Sequence, residues 1–86
     1  MFDVMPIHPG EVLAEEFMKP YALTTDRLAA AVDMSTDRIT DIISGRKPIT
    51  GSLAILLGRV FGTSAEFWVN LQMRYDQQYC DRVNEF

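Results

Sequence analysis

The stretch from Ser35 to Gly45 (Ser-Thr-Asp-Arg-Ile-Thr-Asp-Ile-Ile-Ser-Gly) gathers small polar side chains at helical spacing. Asp37, Thr40, Asp41 and Ser44 share one face, with Thr36 and Arg38 on its flanks. Such side chains can exchange hydrogen bonds with base edges in a major groove, which is wide enough to admit a helix. Arg46 and Lys47 follow at once, and adjacent cations beside such a helix suit phosphate oxygens. Catalysis fits the pattern poorly. Asp37 and Asp41 sit on an exposed face with no cleft expected around them. The sequence offers no nucleophile–base pair, no clustered metal ligands and no glycine-rich phosphate loop. No enzyme, cofactor or metal is therefore expected. His8 is the one histidine and reads as a helix-start residue, and the single cysteine, Cys80, reads as inert.

Presenting those side chains requires a short helix with a buried edge. Ser35 suits the N-cap, Gly45 suits a left-handed residue past the C-terminus, and Ile39, Ile42 and Ile43 form an apolar stripe. Upstream, His8-Pro9-Gly10-Glu11 reads as a helix start, with Pro9 in the first position and Glu11 placed for a capping box. Val12, Leu13 and Phe17 would face inward, and Pro20 would end this first helix. Thr24 or Thr25 caps a second helix through Leu28, Ala29 and Val32, and Asp33 falls where the turn needs a left-handed residue. So few residues part helices two and three that they must cross steeply, with Ala29 at the crossing. Leu28, Val32, Met34, Ile39 and Ile42 would fill the wedge. Residues 25–44 thus have the length and apolar pattern of a DNA-reading helix-turn-helix; the plainer alternative is a helical hairpin in a small bundle.

Thr50 would cap a fourth helix and Gly62 would close it. Its apolar set (Leu53, Ile55, Leu56, Leu57, Val60, Phe61) covers more than half the circumference. Ser64 caps a long fifth helix over 64–83, along which Phe67, Trp68, Leu71, Tyr75 and Tyr79 recur at three- and four-residue steps. Residues 1–7 read as a loose arm, and the tail from Arg82 as fraying. Phe67, Trp68, Leu71 and Tyr75 read as core or dimer contact. Leu53 and Leu56 exceed what one core face needs, which suggests a homodimer or partner seam.

The whole is an all-α expectation: one domain over 1–86. At 86 residues its core is modest, and 48% apolar content is too high for a disordered chain. No run approaches the roughly 18 apolar residues of a membrane span, and no signal peptide is evident, so the cytoplasm is expected. The net charge of −4 repels a duplex at long range. Over residues 35–50, however, Arg38, Arg46 and Lys47 stand against Asp37 and Asp41, a local balance of +1. Since the Debye length is only about 8–10 Å, that local balance governs contact, and any DNA affinity should depend strongly on salt.

Several runs together resemble the HigA/VapI-type antitoxins of bacterial toxin–antitoxin modules, which carry a phage-repressor-like helix-turn-helix. They are Ile7-His8-Pro9-Gly10-Glu11-Val12-Leu13, Glu15-Glu16-Phe17, Leu28-Ala29, Arg38-Ile39, Gly45-Arg46-Lys47 and Ile49-Thr50. The most specific is Phe61-Gly62-Thr63-Ser64-Ala65-Glu66-Phe67-Trp68-Val69-Asn70-Leu71-Gln72, followed by Arg74-Tyr75-Asp76. The resemblance spans residues 6–80. It implies a five-helix domain that dimerises, binds a palindromic operator in its own promoter and neutralises a RelE-like mRNA-cleaving toxin. The candidate DNA contacts read from helix 3 and the loop after it are Ser35, Thr36, Asp37, Arg38, Thr40, Asp41, Ser44, Arg46 and Lys47, and the resemblance adds Thr25. The chain departs from the family pattern in four places: Thr25 stands where Gln is common, Asp33 where the turn usually has Gly, Asp37 where Ser is common, and Leu56 where a charged residue is frequent.

Overall fold

Five helical stretches follow one another in the computed structural model, which describes residues 7–83, with side chains described through Cys80. Among the described residues no strand occurs. The first stretch, α1, runs over 9–21 and changes pitch twice: α-helical over Pro9–Val12, π-helical over Leu13–Met18, and 3-10 over Lys19–Tyr21. Pro20 explains the changes. It has no N–H to return to the preceding turn and its ring crowds that turn's carbonyl, so the ladder widens ahead of it. The chain leaves α1 at Ala22, in a left-handed conformation. Pro20 therefore lies inside the last turn of α1, not beyond its end.

Then come α2 (Thr25–Ala31), α3 (Thr36–Ile43), α4 (Gly51–Phe61) and α5 (Ala65–Val83). Hydroxyl caps start all four: Thr24, Ser35, Thr50 and Ser64 each accept a hydrogen bond from the main-chain N–H three residues on. Thr24, not Thr25, is the cap of α2. Two caps at the C-terminal side are left-handed glycines, Gly45 and Gly62. The start of α1 departs from the capping-box expectation. The His8 ring, through Nδ1, accepts from the Gly10 N–H at 2.8 Å, and Glu11 is exposed.

One core joins all five. Leu13, Leu28, Ile39, Leu57 and Trp68 keep no exposed surface, and Ala29, Val32, Ile42, Ile49, Leu53 and Ala54 line the same cluster. Phe17 meets Phe61, Phe67 and Trp68 in tilted and edge-on ring contacts. The Trp68 indole N–H is satisfied within this setting by the Thr63 hydroxyl at 2.8 Å, so the whole side chain can be buried without an orphan donor. Leu53 and Trp68, considered above for a seam between subunits, belong instead to this core and leave no side-chain surface for a partner.

The expected arm over 1–7 lies outside the described residues except for Ile7, which is exposed. Helix α5 keeps its helical backbone through Arg82 and Val83, where fraying was expected; the remainder of that tail lies outside the described residues.

Candidate nucleic-acid interface

Helices α2 and α3 meet through a turn that the backbone closes tightly. The Met34 N–H donates to the Ala29 carbonyl at 2.9 Å, and Asp33 adopts φ 56° between them. An aspartate tolerates this left-handed setting better than most non-glycine residues because its short polar side chain can hydrogen-bond the local backbone. Ala29 and Val32 are buried at the junction, and Met34 is half-buried. The Thr36 hydroxyl, on the first turn of α3, donates to Asp26 Oδ1 on the first turn of α2 at 2.9 Å. That bond ties the two helix starts together. Asp26 was missed by sequence reasoning, because a contact across ten residues carries no periodic signal.

With Ile39 and Ile42 driven into the core, the other side of α3 is left to solvent. Thr36, Asp37, Arg38, Thr40 and Ser44 are exposed there, and Asp41 is half-buried. Several of these polar groups already have local partners. Ser35 caps the helix, Thr36 holds Asp26, and the Ser44 hydroxyl donates to the Asp41 carbonyl at 3.1 Å. Among the described residues, the side chains of Asp37, Arg38 and Thr40 make no hydrogen bond or ion pair. Those three are the side chains available for an external ligand. Thr25, half-buried, opens α2 nearby in sequence.

The loop from Gly45 to Ile49 carries Arg46 and Lys47, both exposed. Arg46 lies 4.0 Å from the Asp41 carboxylate, an open pair whose contribution to stability is at most about 1 kcal/mol. Below, the loop is held firmly. The Ile49 N–H donates to Gln72 Oε1 at 2.8 Å, and the Gln72 amide donates to Asp76 at 3.0 Å. Among the described residues Gln72 is the one buried polar side chain beside the core, only 8% exposed. Its signal in the sequence was a glutamine on the stripe of α5 otherwise formed by Trp68, Tyr75 and Tyr79. A polar residue at such a position needs a buried partner.

Gly10 is the third residue that sequence reasoning missed. A Cβ added there would run into the Ile42 carbonyl, so α1 can lie directly on the end of α3 only without a side chain at this point. The His8 ring meets the Tyr75 ring edge-on, with centroids 4.8 Å apart, and a side chain added at Gly45 would come into contact with it. Burial lowers the His8 pKa below 6.5, against an upward pull from Asp76 and from the Lys47 main chain.

A shallow cavity of about 330 Å³ opens beside α3, lined by Met34, Arg38, Asp41, Lys47, Thr50 and Leu53 among others. It adjoins the exposed face and brings Arg38 and Lys47 to its rim. Among the described residues, no group of His, Cys, Asp or Glu is arranged to hold a metal, and no helix is long and apolar enough to cross a membrane. Of the residues considered for a seam, Leu56, Leu71 and Tyr75 are half-buried and Phe67 is 37% exposed. Ile55 and Val60 add further exposed apolar surface on α4.

A tightly joined α2–α3 pair, backed by three further helices around one core, defines a helix-turn-helix protein. No protein-family model matches the chain. Individual proteins do. The chain is 41% identical over 76 residues to virulence-associated protein I of Dichelobacter nodosus, covering 88% of this chain and 70% of that protein. It is 34% identical over 71 residues to antitoxin HigA-1 of Vibrio cholerae, covering 83% and 67% respectively. In three dimensions it matches the Pseudomonas aeruginosa antitoxin HigA, solved with the higBA promoter, at a TM-score of 0.89 and 40% identity, covering 93% of this chain and 87% of that one. The chain belongs to the HigA/VapI family of helix-turn-helix antitoxins. The similar proteins are antitoxins and transcriptional regulators, not enzymes.

Proposed function

We propose that this chain, over 1–86, is one DNA-binding domain that works in the cytoplasm as an autorepressor and as the antitoxin to a RelE-like mRNA-cleaving toxin. It binds operator DNA as a homodimer. Asp37, Arg38 and Thr40 of α3 face base edges, while Arg46 and Lys47 take phosphates. Thr25, Ser35, Thr36, Asp41 and Ser44 complete the contact surface at the groove walls. Two copies of α3 in the dimer would lie roughly 34 Å apart, one turn of the duplex, and so meet successive major grooves. The observation that carries this reading is the set Asp37, Arg38 and Thr40, whose side chains have no hydrogen-bond or ion-pair partner among the described residues, raised on a helix whose opposite face buries Ile39 and Ile42. Its support from relatives is the promoter complex of a HigA with the same fold.

The dimer and toxin surfaces are assigned to the apolar residues that one subunit leaves uncovered: Leu56, Phe67, Leu71 and Tyr75, together with Ile55 and Val60. A second reading is a protein-interaction module with little DNA affinity. It is favoured by the net charge of −4 and by the acidic pair Asp37 and Asp41 on α3. Fluorescence anisotropy with the duplex upstream of the protein's own reading frame, at two salt concentrations, separates the readings. Autorepression requires saturable binding that weakens steeply with salt. Affinity no better for that duplex than for a scrambled one leaves the interaction module.

A further inference from the structure

We propose that Asp37 is the specificity-determining residue of α3, and that its carboxylate selects a cytosine, through the N4 amino group, in each half of the operator. The proposal rests on the DNA reading above and deepens it by naming the base. Asp37 stands in the first turn of α3, and the N-terminal residues of a groove-seated helix are those that reach base edges. Its polar neighbours are mostly engaged. Ser35 accepts from the Arg38 N–H, Thr36 donates its proton to Asp26, and the Ser44 hydroxyl donates to the Asp41 carbonyl. The two carboxylates of this face differ in the same way. Asp41 is half-buried and has Arg46 at 4.0 Å, whereas Asp37 is exposed and has no hydrogen-bond or ion-pair partner among the described residues. Arg38 lies on the flank, at the rim of the cavity it shares with Lys47 and Thr50. That leaves Asp37 and Thr40 on the central ridge, three residues apart.

The chemistry of a carboxylate narrows what it can read, because it only accepts hydrogen bonds. In the major groove guanine presents the acceptors N7 and O6, and thymine presents the acceptor O4 beside a methyl group, so both repel it. Adenine sets its N6 amino donor next to the acceptor N7, whereas cytosine presents the N4 amino group with no acceptor beside it on its own base. Cytosine is therefore the base that satisfies Asp37. The Thr40 hydroxyl both donates and accepts, so it discriminates little. A wrong base leaves the Asp37 carboxylate stripped of water with nothing to bind, and base choice comes as much from this penalty as from the bond. The same negative charge weakens binding to every duplex, whatever its sequence. Asp37 thus lowers overall affinity while it sharpens base choice.

The test is an anisotropy competition at low salt, in which wild type, Asp37→Asn and Asp37→Ala meet every single-base variant of the upstream duplex. At one position in each half-site the wild type should demand C and lose about fivefold to tenfold on any other base. Asparagine bonds N6 and N7 of adenine together, so Asp37→Asn should move the preference at that position from C to A. Asp37→Ala should accept all four bases there alike. Both variants should bind a scrambled duplex more tightly than the wild type, by about twofold, because each removes one negative charge per subunit. These opposite signs separate base reading from a structural defect, which would weaken binding to every duplex. A base profile unchanged in Asp37→Asn and Asp37→Ala overturns the proposal, as does a wild-type demand for any base but C at the position that Asp37→Ala relaxes. Wild-type affinity no better for the upstream duplex than for the scrambled one instead overturns the DNA reading, and the base assignment with it.

Discussion

On its inner side α3 places Ile39 and Ile42 in the core with 0% and 3% of their surface exposed; on its outer side the exposed side chains of Asp37, Arg38 and Thr40 make no hydrogen bond or ion pair among the described residues. The same contrast extends to the loop that follows. Its under-surface is fixed by Gln72, and Gly10 lets α1 come close to the end of α3; its upper surface exposes Arg46 and Lys47, with Arg46 in an open pair with Asp41. The difference teaches how a small domain separates two tasks along one element. Stability lives in the buried half, where a lost methylene or hydrogen bond is felt. Recognition lives in the exposed half, where substitutions cost the fold little. Changes on one side should therefore leave the other side's measurements alone.

The largest effect belongs to the buried half. Trp68→Ala removes the largest fully buried side chain and strands the Thr63 hydroxyl, so urea denaturation should register a loss of about 3–5 kcal/mol. Next is Gln72→Ala, which leaves the Ile49 N–H buried without its acceptor. A loss of about 1–3 kcal/mol is expected in the same assay, with weaker DNA binding as the loop loosens. On the exposed half, Arg46→Ala with Lys47→Ala should leave the unfolding midpoint unchanged within about 0.5 kcal/mol. The same variant should flatten the salt slope of DNA binding by about 2 per subunit. Asp41→Asn releases Arg46 from its 4.0 Å partner and removes a negative charge near phosphates, so affinity should rise, by about twofold to fivefold in anisotropy titrations. The smallest effect is expected from Asp33→Gly. It relieves a φ of 56° and should raise the thermal midpoint slightly, by up to about 1 kcal/mol of stability.

His8 makes stability depend on pH. Its folded pKa lies below 6.5, so the unfolded chain takes up the proton first as pH falls. The stability linked to the neutral ring is present above about pH 6.5 and is lost as pH drops toward the folded value.

Much of the architecture was legible because it is local. The hydroxyl caps at Thr24, Ser35, Thr50 and Ser64, the left-handed Asp33 and the glycines at 45 and 62 are each fixed by a few neighbouring residues. The apolar stripe of α3 needed only the helical period. What sequence reasoning missed is long-range. Gly10 is explained by the Ile42 carbonyl, Gln72 by the Ile49 N–H, and Asp26 by Thr36; no spacing rule pairs them. The π-helical turn before Pro20 was likewise read as a simple helix end, since the sequence marks the proline but not how the preceding turn adapts. In the candidate interface, exposure of the outer face was foreseeable, whereas the local use of the Ser35, Thr36 and Ser44 hydroxyls emerged only from the geometry.

The most direct test is an NMR titration of the isotope-labelled protein with its upstream duplex, following backbone amides and the side chains of α3. The division between the two halves predicts the largest shifts at Asp37, Arg38, Thr40 and Gly45 to Lys47, with the apolar face of α4 around Ile55 and Val60 changing least. Shifts centred on that α4 face or along α5, with α3 unmoved, would contradict it.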